Sequence, residues 1–198
     1  FNLDGRPAAV VDIGGGSTEV ILSAGSVIDQ THSLPLGAIW LTEQFCRSDP
    51  LRPKHWKRLR KEIDRTIRRT IGKPPLHAEI MVGSGGTFTT LAQMIQCQRL
   101  GQSGPVQGYL MNRADVIHLL DRLRESPIES RRQIPGMNPT RADIIVAGAA
   151  IVARLAEHLG SHQILINDGG IRDGLVLSMI RDLTGGGVAE LLQPRDRL

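Results

Sequence analysis

Cysteine, aromatic residues and long apolar runs are all scarce in this chain of 198 residues. Its two cysteines, Cys46 and Cys97, stand far apart and form no CxxC pair, so neither a zinc site nor a disulfide framework is indicated. Reduced thiols and a cytoplasmic location are expected. One tyrosine, two tryptophans and three phenylalanines leave few platforms for stacked bases, which ranks sequence-specific nucleic-acid binding low. No stretch approaches the roughly 18 to 20 uninterrupted apolar residues of a membrane span, because Ala142 to Leu159 is broken by Asp143, Arg154, Glu157 and His158. The chain is nevertheless 40% hydrophobic, enough to bury a core as a single globular domain. It begins at Phe1 and its first strand is expected by Ala8, which suggests a piece of something longer.

The net charge of +4 is unevenly placed. Arg52 to Lys73 holds ten basic residues against Glu62 and Asp64. Trp56, Leu59, Ile63, Ile67 and Ile71 recur there at helical spacing, with Lys54, Lys57, Lys61, Arg65 and Arg68 on other faces. An amphipathic basic helix is predicted. Its charge suits either a solvated surface or the attraction of a polyanion.

Ala8 to Ile13, Ser17 to Ser23 and Val27 to Leu36 read as three strands of an antiparallel meander. Helices are predicted over Ala38 to Cys46, from Pro53 to about Gly72, over Thr87 to Gln98, and from an Asn112 cap to Arg124. A fourth strand is predicted over Glu79 to Val82 and a fifth over Gln163 to Ile166. Pro127 to Pro139 reads as irregular, Thr140 to Leu159 as a long helix ended by Gly160, and Ile171 to Leu183 as the last helix. The expected fold is α/β, a mixed five-stranded sheet with helices on both faces.

Three strands end in glycine-bearing turns: Gly14 to Gly16, Gly83 to Gly86, and Gly169 with Gly170. Glycine lets backbone N–H groups approach a ligand and adopts positive φ, so such turns can cradle anions, phosphate above all. If the three strands lie side by side, their turns line one crevice at the strands' carboxyl ends. Neither a Rossmann nor a Walker fingerprint is present, and the first turn leads into a strand. Ser17 and Thr18 could add hydroxyl donors. Asp12 and Glu19 flank that turn and would repel a phosphate without an intervening cation, which points to Mg²⁺. Turn hydrogen bonding by Asp12, with Glu19 in solvent, is the structural alternative; capping is the alternative for the second loop, and a turn role for Asp168. His158 and His162 are separated by Gly160 and suit a surface or helix-end role better than a metal site.

Together, VVDIGGGSTEVIL, SLPLGAIWLTEQF, VGSGGTFTTLAQM, PGMNPTRADIIVAGAAIV and NDGGIRDGLVL resemble, in this order, the exopolyphosphatase and guanosine pentaphosphate phosphatase (Ppx/GppA) family. The likeness covers nearly the whole chain, and DIGGGSTE is its most specific block. Asn167, Ile171 and Asp173 depart from the more usual serine, leucine and glutamate, while the glycine turn itself is kept. The resemblance implies an actin-like (ribonuclease H-like) lobe, the second of two flanking a cleft, in an enzyme that removes terminal phosphate from polyphosphate or pppGpp with Mg²⁺. Residues 1–198 would form that lobe alone, with the first lobe, absent here, supplying a further phosphate loop and the general-base glutamate.

On this basis Gly14, Gly15, Gly16, Ser17 and Thr18 are expected to grip terminal phosphates, and Asp12 and Glu19 to hold Mg²⁺, Glu19 in support of catalysis. Gly83, Ser84, Gly85, Gly86 and Thr87 would receive the distal chain or a nucleotide. The isolated lobe is expected to be inactive, with the first lobe as partner and a homodimer conceivable. A kinase or ATPase lobe and a non-catalytic phosphate-binding module are the rival functions.

Overall fold

The computed structural model describes residues 5–25, 27–74 and 77–184. It divides into two units, residues 1–168 and 169–198. The first opens with the meander β1 (Pro7–Ile13), β2 (Thr18–Ala24) and β3 (Val27–Leu34). There follow α1 (Ala38–Phe45), α2 (Pro53–Thr70), β4 (Ile80–Ser84), α3 (Gly86–Leu100), β5 (Leu110–Asn112), α4 (Arg113–Glu125) and α5 (Ile128–Arg132). A 3-10 turn, Pro139–Arg141, leads to α6 (Ile145–Leu159) and β6 (Gln163–Asn167). The second unit contains α7 (Ile171–Thr184), whose start is tied by the Gly170 N–H donating to the Asp173 carboxylate at 2.6 Å.

The sheet has six strands in the order β3-β2-β1-β4-β6-β5, one more than the five expected. The added strand is β5, whose three residues are too few to show a period and which is held by antiparallel pairing to β6. β1, β4 and β6 are adjacent and parallel, so their carboxyl ends share one edge of the sheet. All five residues of β4 are buried, which requires cover on both of its faces.

The registers align Leu22, Ala9, Met81, Ile164 and Met111 across the sheet, and Val20 and Val11 beside them. This face enters the main hydrophobic core. Over the core runs α6, buried at every position except Arg154, Glu157 and His158 and packed against α1, α2, α3 and α4. A helix apolar nearly all round is stable only at the centre of a core. The long helix expected from Thr140 starts later, because Asn138 accepts hydrogen bonds from the Thr140 N–H and hydroxyl and closes a 3-10 turn first. Gly160 ends α6 in the left-handed conformation at φ 75°. His158 has the helix-end role expected: its Nε2 donates to the Gly72 carbonyl at 2.7 Å, tying the ends of α6 and α2.

The expected face of α2 is inward, with Leu59, Ile63 and Ile67 buried. Trp56 is half-buried beneath the Arg124 guanidinium, 5.6 Å from the ring centre. Within the stretch expected to be irregular, α5 forms and buries Arg131, which pairs with Asp49.

Candidate functional site

The turn between β1 and β2 is held from beneath by α1. The N–H groups of Ala38, Ile39 and Trp40, which an isolated helix would leave unpaired, donate to the carbonyls of Gly14 and Gly15 at 3.0–3.1 Å. Gly14 N–H closes the turn onto the Ser17 carbonyl at 2.9 Å. The carbonyls of the turn are thus engaged by α1, while the N–H groups of Gly15 and Gly16 meet no acceptor among the described residues. Two glycines make this contact sterically feasible. A Cβ on Gly37 would lie 2.0 Å from the Gly15 carbonyl oxygen, and one on Gly15 would lie 2.9 Å from the Ile39 side chain.

Positive φ is not what the first turn uses. None of Gly14, Gly15 and Gly16 is among the positive-φ glycines, whereas Gly85 lies at φ 93°. That residue turns the chain sharply from β4 into α3, where a side chain would be strained. The Asp12 carboxylate lies against it, 2.8 Å from the position of a Cβ.

A crevice of about 290 Å³ opens between Gly14, Gly15 and Ile39 on one side and Gly86, Thr87, Thr140 and Arg141 on the other. Its walls bring together Gly15, whose N–H is unpaired among the described residues, the start of the fifteen-residue helix α3 and a guanidinium. Arg141 packs so closely on Gly86 that a Cβ there would lie 2.0 Å from its terminal nitrogen. It makes no ion pair among the described residues. Sequence reasoning does not single out Arg141 as a site residue, although it lies within the block NPTRAD. A cation placed before the start of α6, the positive end of the helix dipole, is the available signal.

The remaining expected residues divide by face. Asp12 and Glu19 are direct cross-strand partners, both exposed, on the sheet face opposite the helical core. Glu19 accepts hydrogen bonds from the hydroxyls of Ser17 at 2.7 Å and Ser33 at 3.2 Å. The hydroxyl of Ser17 is therefore committed to Glu19. Thr18 corrects the sequence expectation: it is fully buried and its hydroxyl donates to the Leu36 carbonyl at 2.5 Å, so its side chain braces the turn from inside. Gly83 and Ser84 are also buried, and a Cβ on Gly83 would strike the Phe88 ring at 2.2 Å. From the second loop only Gly86 and Thr87 reach the crevice wall. At the end of β6, Asp168 N–H donates to Gln107 at 2.7 Å. The third turn, Gly169 with Gly170, belongs to the second unit.

Two like charges directly opposite on adjacent strands destabilise a sheet unless a cation accompanies them. Asp12 and Glu19 have no cationic side-chain partner among the described residues, so their donor set suits a hard divalent cation that retains several waters. No cluster of three or more His, Cys, Asp or Glu side chains suited to a metal occurs among the described residues. Among these residues no helix is long and apolar enough to cross a membrane.

The chain is 32% identical over 180 residues to exopolyphosphatase 2 of Mycobacterium tuberculosis, covering 88% of this chain and 56% of that protein. The crystal structure of an Aquifex aeolicus Ppx/GppA family member superposes with a TM-score of 0.81 at 29% identity, covering 92% of this chain and 59% of the other. A structure of an exopolyphosphatase from Cytophaga hutchinsonii, at 23% identity and a TM-score of 0.78, shares the fold, with 94% of this chain and 60% of the other covered. The chain thus spans about half the length of the curated relatives it matches. Residues 2–183 match the model of the Ppx/GppA phosphatase family, and the chain belongs to that family.

Proposed function

We propose that this chain supplies one wall of the active cleft of a phosphohydrolase that releases terminal phosphate from inorganic polyphosphate, pppGpp or both. The observation that carries this reading is the convergence of Gly14, Gly15, the start of α3 and Arg141 on one crevice at the carboxyl ends of β1 and β4. A crevice walled by N–H groups and a guanidinium suits phosphoryl oxygens, and a planar Arg fork can engage two of them together. Family membership supports the same substrate class, since relatives carry the name exopolyphosphatase.

In the proposed reaction water attacks the terminal phosphorus in line, the phosphoanhydride bond breaks, and the shortened chain leaves with the bridging oxygen. The Gly15 and Gly16 N–H groups and Arg141 hold the terminal group and balance its charge. The α3 terminus holds the next phosphate, fixing the line of attack. Asp12 and Glu19 would hold Mg²⁺, which when bound neutralises phosphate charge and polarises the phosphoryl group. Ser17 and Ser33 orient Glu19 for that task. The residues serve as the second lobe of an actin-like pair, and the attacking water is activated by a glutamate from the first lobe.

Calorimetry with inorganic tripolyphosphate tests the site. Arg141→Ala should weaken binding about tenfold to a hundredfold, the worth of a charge-assisted hydrogen bond. Asp12→Asn with Glu19→Gln should remove the Mg²⁺ dependence of that binding. Unchanged affinity in Arg141→Ala would overturn the phosphate assignment.

A further inference from the structure

The outward face of α2 takes no part in the crevice, yet it carries a dense row of exposed cationic side chains. At 100° per residue, Lys54, Lys57, Arg58, Lys61, Arg65, Arg68 and Arg69 fall within an arc of about 120°, opposite the buried Leu59, Ile63 and Ile67. All seven are exposed. The two acids of the helix do not neutralise the stripe. Glu62 pairs with Arg65 at 2.8 Å, and Asp64 is drawn to Arg154 at 2.5 Å and lies 3.7 Å from Arg68. Lys54, Lys57, Arg58, Lys61 and Arg69 have no ion-pair partner among the described residues.

Every turn of this helix therefore offers at least one exposed cation over its length of about 27 Å. A linear polyanion lying along the axis would meet positive charge at each turn, whereas a compact anion would meet only one or two. The arc contains no aromatic residue for base stacking and no large apolar residue for insertion into lipid, since Trp56 sits outside it and is half-buried. We propose that this stripe is a second binding site for long-chain inorganic polyphosphate, separate from the crevice and able to retain a chain between cleavage events. The inference rests on the polyphosphate reading of the crevice.

The test compares the parent chain with a combined variant, Lys54→Gln, Lys57→Gln, Arg58→Gln and Lys61→Gln, in which only exposed, unpaired side chains change. Binding of long-chain polyphosphate and of tripolyphosphate is measured at several salt concentrations. Affinity for the long chain should fall at least about tenfold, and its logarithmic salt slope should become shallower by about 3, as expected when four phosphates of a single-stranded polyanion are no longer neutralised. Tripolyphosphate affinity should not change. Arg141→Ala should give the converse, losing tripolyphosphate while retaining the salt-dependent hold on long chains, so the two sites fail independently. Parent-like affinity of the combined variant for the long chain would overturn the proposal. So would tighter binding of single-stranded RNA of matched charge that disappears in the same variant.

Discussion

Cys46 shows how one residue takes its chemistry from its surroundings. Burial pushes its thiol up to about 11, only partly offset by the charge of Arg131 and a hydrogen bond with Thr42. The neutral thiol is the form the fold favours. Because the folded value lies above the unfolded one, this contribution to stability is complete below the ordinary thiol range and is lost as pH rises towards about 11. Alkylation of Cys46 by iodoacetamide should accordingly be slow at pH 7–8 and accelerate about tenfold per pH unit above that, which peptide mass spectrometry can follow. A fast, pH-independent reaction at neutral pH would contradict the placement of the thiol. Thr18 follows the same logic with the opposite outcome for function. Its hydroxyl suggests a phosphate donor in the sequence, but complete burial and the bond to Leu36 commit it to the interior.

Among the elements, α1 is the support on which the first glycine turn rests. Its start donates three hydrogen bonds to the turn's carbonyls, which aligns the peptide units of Gly14 and Gly15. Gly37→Ala tests that support, since the added carbon would sit 2.0 Å from a backbone oxygen and one of the two segments must move. A loss of about 1–3 kcal/mol in urea unfolding is expected, with weaker tripolyphosphate binding. Full stability and affinity in that variant would show that α1 does not set the turn. Most elements are legible in the sequence because the helical period of α2 and α4 and the apolar runs of β1 and β6 arise from burial itself. β5 is not legible, since three residues acquire strand character only from the edge of β6. The 3-10 turn before α6 is also hidden. Its Asn138 caps locally and displaces what composition alone reads as helix.

For the molecule as a whole, the family match and the six-stranded α/β sheet account for about half the length of the relatives. The crevice is lined by glycine backbone and a guanidinium, and no described carboxylate is part of its wall. Residues 1–198 alone should release little phosphate from polyphosphate in a malachite green assay, and covalent joining to a first lobe from a family member should raise release by orders of magnitude, as expected when a general base is positioned. Strong turnover by the chain alone would overturn the division of labour between lobes.

By itself, the sequence determined the family, the α/β class, the three strands that end in glycine turns and the basic character of α2, because motif order, periodicity and charge are properties of the chain. Only the tertiary structure decided which of those features meet. It placed α1 beneath the first turn, brought Arg141 onto Gly86 across 55 positions of sequence, and turned Asp12 and Glu19 to the sheet face away from the helical core. The physical reason is that contact across a sheet edge depends on strand order and register, and these are set by how the whole core packs.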